Sequence, residues 1–170
     1  MSTYALRPFQ WSDVAGIAAI YAHYVAHSTA TFDTEFGGEA AMGEKFAHLK
    51  SLGHPIVIAE GPDGQVLGYS YASFYRPRAG WRFACEDSVY VAPEAVGQGI
   101  GKAMLIDVIY QAGALGFRQM IGVITGESAA SISLHEKLGF AHAGRLSAVG
   151  YKFERWLDVV YMQRTLAPAT

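Results

Sequence analysis

Residues 93 to 104, PEAVGQGIGKAM, place Gly97, Gly99 and Gly101 at every second position, directly behind the apolar run Ser88-Val89-Tyr90-Val91. A strand that feeds a glycine loop and then a helix points to an α/β fold, and by itself the loop reads either as a general grip for a diphosphate or as an ordinary strand-to-helix turn. The unpaired N–H groups of the helix start and the helix dipole both point at the anion. A dinucleotide fingerprint requires G-x-G-x-x-G, and in Gly97-Gln98-Gly99-Ile100-Gly101-Lys102 the third glycine comes one residue early. An ATP-binding P-loop requires a glycine five residues before the Gly-Lys pair and a hydroxyl after it, where this chain has Val96 and Ala103. Neither nucleotide-binding class fits.

The flanking sequence gives the loop its setting. Tyr4 to Arg7 reads as a short strand stopped by Pro8, and Ser12 or Asp13 caps a helix in which Val14, Ile17, Ala18, Tyr21, Tyr24 and Val25 form one apolar stripe. A second helix is expected around Met42, Phe46 and Leu49. Pro55 to Glu60 and Val66 to Phe74 form a hairpin across Gly61-Pro62-Asp63-Gly64. Cys85 to Val91 is the strand before the loop, and the following helix buries Ile100, Met104, Leu105, Val108, Ile109 and Ala112 before Gly113 and Gly116 stop it. Gln119 to Thr125 reads as a strand buried on both faces. Ser128 to Leu138 reads as a helix with Gly139 as its C′ residue. Strands near Ala143 to Tyr151 and Leu157 to Leu166 close the chain, and Ala167 to Thr170 read as frayed.

The expected order β-α-α-β-β-β-α-β-α-β-β is an α/β sandwich around a mixed sheet. With 170 residues, 51% of them hydrophobic, we expect one domain over residues 1–170. Thirteen basic and fifteen acidic residues leave a net charge of −2 without a like-charge run, which argues against a nucleic-acid or membrane-surface partner. The lone Cys85 excludes an internal disulfide framework and a thiolate metal cage. No stretch has signal-peptide or membrane-span character, so a cytoplasmic protein is expected.

The pattern x-x-x-G-x-G opening a helix after a VYV strand resembles the pyrophosphate loop of the GCN5-related N-acetyltransferases (GNAT), usually Q/R-x-x-G-x-G/A. Val96 departs at its first position, which backbone N–H groups tolerate. SAASISLHEKLGF, residues 128 to 140, resembles the later family segment N-x-x-S-x-x-L-[HY]-E-K-L-G-F. Ser131, Leu134, His135, Glu136, Lys137, Leu138, Gly139 and Phe140 fit it, with Ser128 in place of the asparagine. HYVAHSTATFDTE (23–35), YRPRAGWRFACEDSVYV (75–91) and VGYKFERWLDVVYMQ (149–163) are similar to the subgroup that acetylates phosphinothricin, methionine sulfoximine and methionine sulfone.

The resemblance implies a mixed, mostly antiparallel central sheet with helices on both faces. It implies acetyl-CoA as acetyl donor with no metal, a small amino-acid-like acceptor, direct transfer in a ternary complex, and a homodimer whose C-terminal strands meet near the active sites. For the cofactor it implies Val89, Tyr90 and Val91 pairing edge-on with the pantetheine amides, with Gly97, Gln98, Gly99, Ile100, Gly101 and Lys102 at the diphosphate and Ser128 and Ser131 near the thiol end. A strand N–H near Val89 or Tyr90 is expected to hold the reaction's oxyanion.

Strand alternation puts Glu86, Ser88 and Tyr90 on one face and Cys85, Asp87, Val89 and Val91 on the other, so Glu86 and Asp87 meet one substrate only through a bulge. Glu86 reads from its residues as a solvated carboxylate or a general base, and His135 as a structural or catalytic histidine. The resemblance selects the catalytic roles: Glu86 takes a proton from an ammonium of reference pKa near ~8, and His135 lies near the thioester. For the acceptor we expect Arg76 as carboxylate or phosphinate clamp, with Pro77 and Arg78 from the same segment and Glu86, Asp87 and Ser88 opposite. Arg78 and Arg82 also read as basic surface residues. Phe32 and Phe36 are candidate pocket walls. Cys85 reads as core rather than as an acyl-carrying nucleophile. The alternatives are a different acceptor (a protein N-terminus, a polyamine, an aminoglycoside), a non-catalytic acyl-CoA sensor, and a domain that binds no CoA.

Overall fold

The computed structural model describes residues 4–166. Ala167 to Thr170, read above as frayed, lie outside the described residues. Strand β1 (Ala5–Pro8) leads through a 3-10 turn at Trp11–Asp13 into α1 (Val14–His27) and α2 (Gly38–Ser51). Then come β2 (Ile56–Glu60), β3 (Val66–Phe74), β4 (Ala84–Val91), α3 (Ile100–Ala114), β5 (Gln119–Thr125), α4 (Ala129–Lys137), β6 (Ala141–Lys152) and β7 (Arg155–Thr165). The strands form one seven-stranded sheet in the order β1-β2-β3-β4-β5-β7-β6. Every neighbouring pair is antiparallel except β4 and β5.

Helices cover both faces, as expected. The rings of Tyr21 and Tyr24 from α1 meet Tyr90, and Phe46 from α2 meets Tyr69 and Tyr71, so α1 and α2 lie over the even-numbered side chains of β4. On the other face α3 approaches Val89 and Val91, while α4 brings His135 to Asp87. The core between α3 and the sheet is apolar and closed: Ile100, Met104, Leu105, Val108 and Ala112 are essentially inaccessible, as are Met120 and Met162. At the far edge Arg7 of β1 donates to both oxygens of the buried Asp13 at 2.8 Å and to Glu60 of β2 at 2.5 Å, which ties β1, the entrance to α1 and β2 together.

Three local features differ from the sequence reading. Helix α3 runs through Gly113 to Ala114, and only Gly116, at φ +92°, ends it, because Gly113 is buried in regular helix whereas Gly116 takes the left-handed conformation a stop requires. Strand β5 is not buried on both faces: Ile121 is half-buried and Val123 is 37% exposed, since its neighbour β4 has turned away there. β6 and β7 are joined by a two-residue turn of Phe153 and Glu154, at φ 52° and 59°, a mirror-image hairpin turn built without glycine. No helix among the described residues is long and apolar enough to cross a membrane.

Candidate active site

The site originates in an interrupted ladder. β4 and β5 pair only at Ala84–Gln119, Cys85–Met120 and Glu86–Ile121, although both strands continue. From Asp87 to Val91 the β4 edge that faces β5 therefore has no partner strand among the described residues, and its polar backbone groups, the Val91 carbonyl excepted, are left for a ligand. A cleft of about 560 Å³ opens in the gap. Its walls are β4 from Glu86 to Val91, the glycine loop, Val123 to Thr125 of β5, the start of α4, and Thr29 to Phe32 of the loop after α1.

The glycine loop takes the form a diphosphate grip needs. Gly97 and Gly99 have φ of +85° and +79°, where a side chain is strained, and Gly99 caps α3 with no side chain bonded to the first-turn N–H groups. A Cβ on Gly101 would lie 3.4 Å from Val91, so the helix start sits directly against the strand. Gly97, Gly99, Ile100, Gly101 and Lys102 line the cleft, as do the exposed Val96 and Val89, Tyr90 and Val91. Gln98 is exposed and lies outside the lining. Tyr90 turns its ring inward, stacked on Tyr69 with centroids 5.4 Å apart. The Val91 carbonyl accepts a hydrogen bond from Tyr24 Oη at 2.7 Å. Ser128 caps α4 and Ser131 follows one turn later, both on the cleft wall.

Glu86 and Asp87 project from opposite faces, and the β3–β4 register passes them without a bulge. Both nevertheless border the one cleft, whose lining draws on both faces of the sheet, with Tyr24 and Phe32 from one and Leu134 and His135 from the other. Strand alternation separates two neighbouring side chains only where the sheet is unbroken. Burial, reinforced by the charge of Asp87 and opposed by Arg76 and Lys45, pushes the Glu86 carboxyl up to about 7. A carboxylate that exchanges its proton near neutrality is suited to acid–base work.

Asp87 is committed elsewhere. Its Oδ2 lies 3.0 Å from His135 Nε2, both side chains being 2% exposed. His135 Nδ1 donates to the Ser131 carbonyl at 2.7 Å, since a carbonyl has no proton to give, so the pair shares one further proton between Nε2 and Oδ2. Burial, the largest single influence, works against the imidazolium, but the Asp87 hydrogen bond, the Asp87 charge and the bond to the Ser131 carbonyl together outweigh it and hold His135 above its ordinary range. The two meet across β5 because Gly122 has no side chain: a Cβ there would lie 2.9 Å from the imidazole. Asp87 Oδ1 is buried without a hydrogen-bond partner among the described residues. Cys85 is fully buried, and burial followed by the Asp87 charge pushes its thiol up to about 12, so it is no nucleophile at neutral pH.

The arginine segment lies apart. Arg76, Pro77 and Arg78 are exposed and outside the cleft lining, with the Arg76 guanidinium 4.9 Å over the Tyr75 ring. Arg76 acts on Glu86 through its charge, and Glu86 on Arg76 in return. Arg82 covers Phe83 and donates to the Ala79 carbonyl. Ser88 borders the cleft, and its carbonyl accepts from Ser70 Oγ at 2.9 Å. Phe32 lines the cleft, whereas Phe36 packs edge-on to Tyr21 and is not part of the lining.

Two residues escaped the sequence reading. Lys45 of α2 sits 5.0 Å over the Tyr71 ring and adds a second positive charge near Glu86. The buried Lys152 reaches the loop that walls the cleft. Lys45 lies outside the quoted segments, and Lys152 lies within VGYKFERWLDVVYMQ (149–163) without being singled out there. Among the described residues no group of three His, Cys, Asp or Glu side chains is placed to hold a metal ion.

Residues 13–140 match the model of the acetyltransferase (GNAT) family. The chain is 45% identical over 163 residues to the phosphinothricin N-acetyltransferase of Alcaligenes faecalis, covering 95% of this chain and 82% of that protein. It is 39% identical over 164 residues to the L-methionine sulfoximine/L-methionine sulfone acetyltransferase of Pseudomonas aeruginosa, covering 96% and 95%. The fold is similar to the crystal structure of a phosphinothricin acetyltransferase of Sinorhizobium meliloti in complex with AcCoA, with a TM-score of 0.94, 44% identity and coverage of 97% and 89%. A sheet that parts after three rungs, a glycine loop beside the gap and a near-neutral carboxylate at its edge thus occur in a chain that belongs to the acetyltransferase (GNAT) family and is an acyltransferase.

Proposed function

We propose that the protein moves an acetyl group from acetyl-CoA to the α-amine of a small amino-acid analogue of the phosphinothricin, methionine sulfoximine and methionine sulfone class. The observation that carries this is Glu86: a carboxyl raised to about 7 stands where β4 leaves β5, between the glycine loop and the α1/α2 side of the sheet. The acceptor class is that of the relatives named above.

The residues fit the donor. Orphan N–H groups of Ile100, Gly101 and Lys102 face the cleft and hold the diphosphate, with the Lys102 ammonium beside them. The free β4 edge from Asp87 to Val91 receives the pantetheine amides as an added strand, with Ser128 and Ser131 at its thiol end. Acetyl-CoA supplies the activated thioester.

On the acceptor side, Glu86 takes the ammonium proton, directly or through a water, and frees the lone pair that attacks. A β4 N–H near Val89 or Tyr90 donates to the carbonyl oxygen as charge builds on it. The proton held between His135 and Asp87 lies at the thiol end and is given to the departing sulfur. Arg76 meets the acceptor's carboxylate from the mouth of the site, where its charge is felt by Glu86. We further propose a homodimer through the C-terminal strands: β6 is a sheet edge, exposed along nearly its whole length, and Leu146, Val149, Tyr151, Phe153 and Trp156 are all exposed there. We place the protein in the cytoplasm, in keeping with its free thiol at Cys85.

The test is thiol release from acetyl-CoA by the purified protein with methionine sulfone, methionine sulfoximine, phosphinothricin, spermidine and an N-terminal peptide. Release with the first three alone is the expected result. Release only with spermidine or the peptide overturns the acceptor class. Binding of acetyl-CoA without release on any amine overturns the catalytic reading in favour of a sensor.

A further inference from the structure

Lys152, at the end of β6, is 3% exposed, and no carboxylate is within ion-pair distance of it among the described residues. Its ammonium donates to the carbonyls of Ser28 at 2.7 Å, Thr31 at 2.9 Å and Tyr24 at 3.5 Å. Three protons thus meet three carbonyls, the arrangement that makes an unpaired buried cation tolerable. The acceptors lie in the last turn of α1 and in the loop after it, so the charge also faces the negative end of that helix. The chain separation, 121 to 128 residues, makes this a tertiary stitch rather than a local cap.

That loop is the cleft wall. Thr29, Ala30, Thr31 and Phe32 all line the cleft. Short-range bonds give the loop its curl: Ser28 Oγ accepts from the Ala30 N–H at 3.0 Å, and Thr31 Oγ1 from the Asp33 N–H at 3.2 Å. Tyr21 Oη donates to Asp33 at 2.5 Å. The connection to the sheet comes from β6. Two residues before Lys152, on the same face of the strand, Gly150 leaves the space filled by the Phe32 ring, where a Cβ would lie 2.7 Å from Cε1.

We propose that Lys152 is a positioning residue for catalysis: with Gly150 it fastens the 28–32 wall to β6 and so fixes the acceptor-facing side of the cleft. The donor is gripped by the glycine loop on another wall, so the fastening acts on the acceptor. The kinetic arm of this inference rests on the acetyltransferase reading of the cleft; the structural arm does not.

The experiment compares wild type with Lys152→Met, which keeps the stem and removes the ammonium, with Lys152→Arg, which keeps the charge, and with Gly150→Ala. Amide exchange is followed by mass spectrometry with and without acetyl-CoA, alongside steady-state kinetics on methionine sulfone. In Lys152→Met, exchange across residues 28–36 accelerates about tenfold while the β3–β4 core keeps its protection. The KM for the acceptor rises about tenfold, and that for acetyl-CoA changes by less than about twofold. Lys152→Arg recovers most of both, which a general loss of stability would not. Gly150→Ala displaces Phe32 and raises the acceptor KM about threefold or more, with wild-type exchange in 28–31.

A folded Lys152→Met with wild-type exchange and wild-type acceptor KM overturns the proposal. If Lys152→Met does not fold, a wild-type acceptor KM in Gly150→Ala overturns it. If wild type acetylates no amine tried, the acceptor reading fails by itself, and Lys152 is judged by exchange in 28–36: unchanged exchange in Lys152→Met overturns its role.

Discussion

In the proposed reaction Glu86 is the residue on which the chemistry turns, and its raised pKa has two opposite readouts. Only the ionised carboxylate accepts a proton, so kcat/KM for the acceptor is expected to climb with pH through about 7. In Glu86→Gln that limb disappears and turnover falls about a hundredfold or more, while acetyl-CoA affinity is kept. Stability runs the other way. The carboxyl is raised in the fold above its unfolded value of 4.5, so ionisation is penalised in the native state. Stability present below pH 4.5 is lost as the pH rises towards 7. Glu86→Gln is therefore expected to melt roughly 2–6 °C higher than wild type at pH 8 and about level with it at pH 5, by calorimetry. Asp87 gives a separate prediction. Removing its charge in Asp87→Asn leaves burial to dominate, so the His135 pKa, followed by NMR, is expected to drop from above its ordinary value of 6.5 to below it.

Among the elements, the loop between β4 and α3 makes the sharpest claim. Gly99→Ala imposes a left-handed conformation on a side-chain-bearing residue, which costs about 1–2 kcal/mol. The expected result is a KM for acetyl-CoA about tenfold higher with kcat little changed. This loop was legible in the sequence because its information is local: glycine spacing, an apolar strand before it and a periodic helix after it. The same holds for the order of strands and helices, and for the β2–β3 hairpin, whose turn residues announce it. The Asp87–His135 pair was not legible, since 48 residues separate the partners and only the bare Gly122 between them permits contact. Lys152 was invisible for the same reason, and a lysine in a strand reads as solvated until its three carbonyls are seen. The exposure of Val123 followed from a divergence of strands that no pattern of side chains encodes.

For the molecule as a whole, a hundredfold excess of acetyl-CoA over its dissociation constant is expected to stabilise the native state by about 2.7 kcal/mol, a rise of roughly 5–10 °C in Tm. Sedimentation equilibrium is expected to give a dimer, and Trp156→Glu, at an exposed ring on the β6–β7 edge, a monomer. The three-rung ladder between β4 and β5 has a consequence for the order of events. A sheet is normally a partition, and two reactants on one side of it must queue for the same entrance. Here the partition has a slot, and under the function proposed above the coenzyme docks along one strand edge while the amine arrives beside Glu86 from the opposite face. Neither blocks the other's way in or out. Free coenzyme A should then act as a competitive inhibitor against acetyl-CoA and leave the amine's own binding step untouched, a pattern that product-inhibition kinetics reads directly.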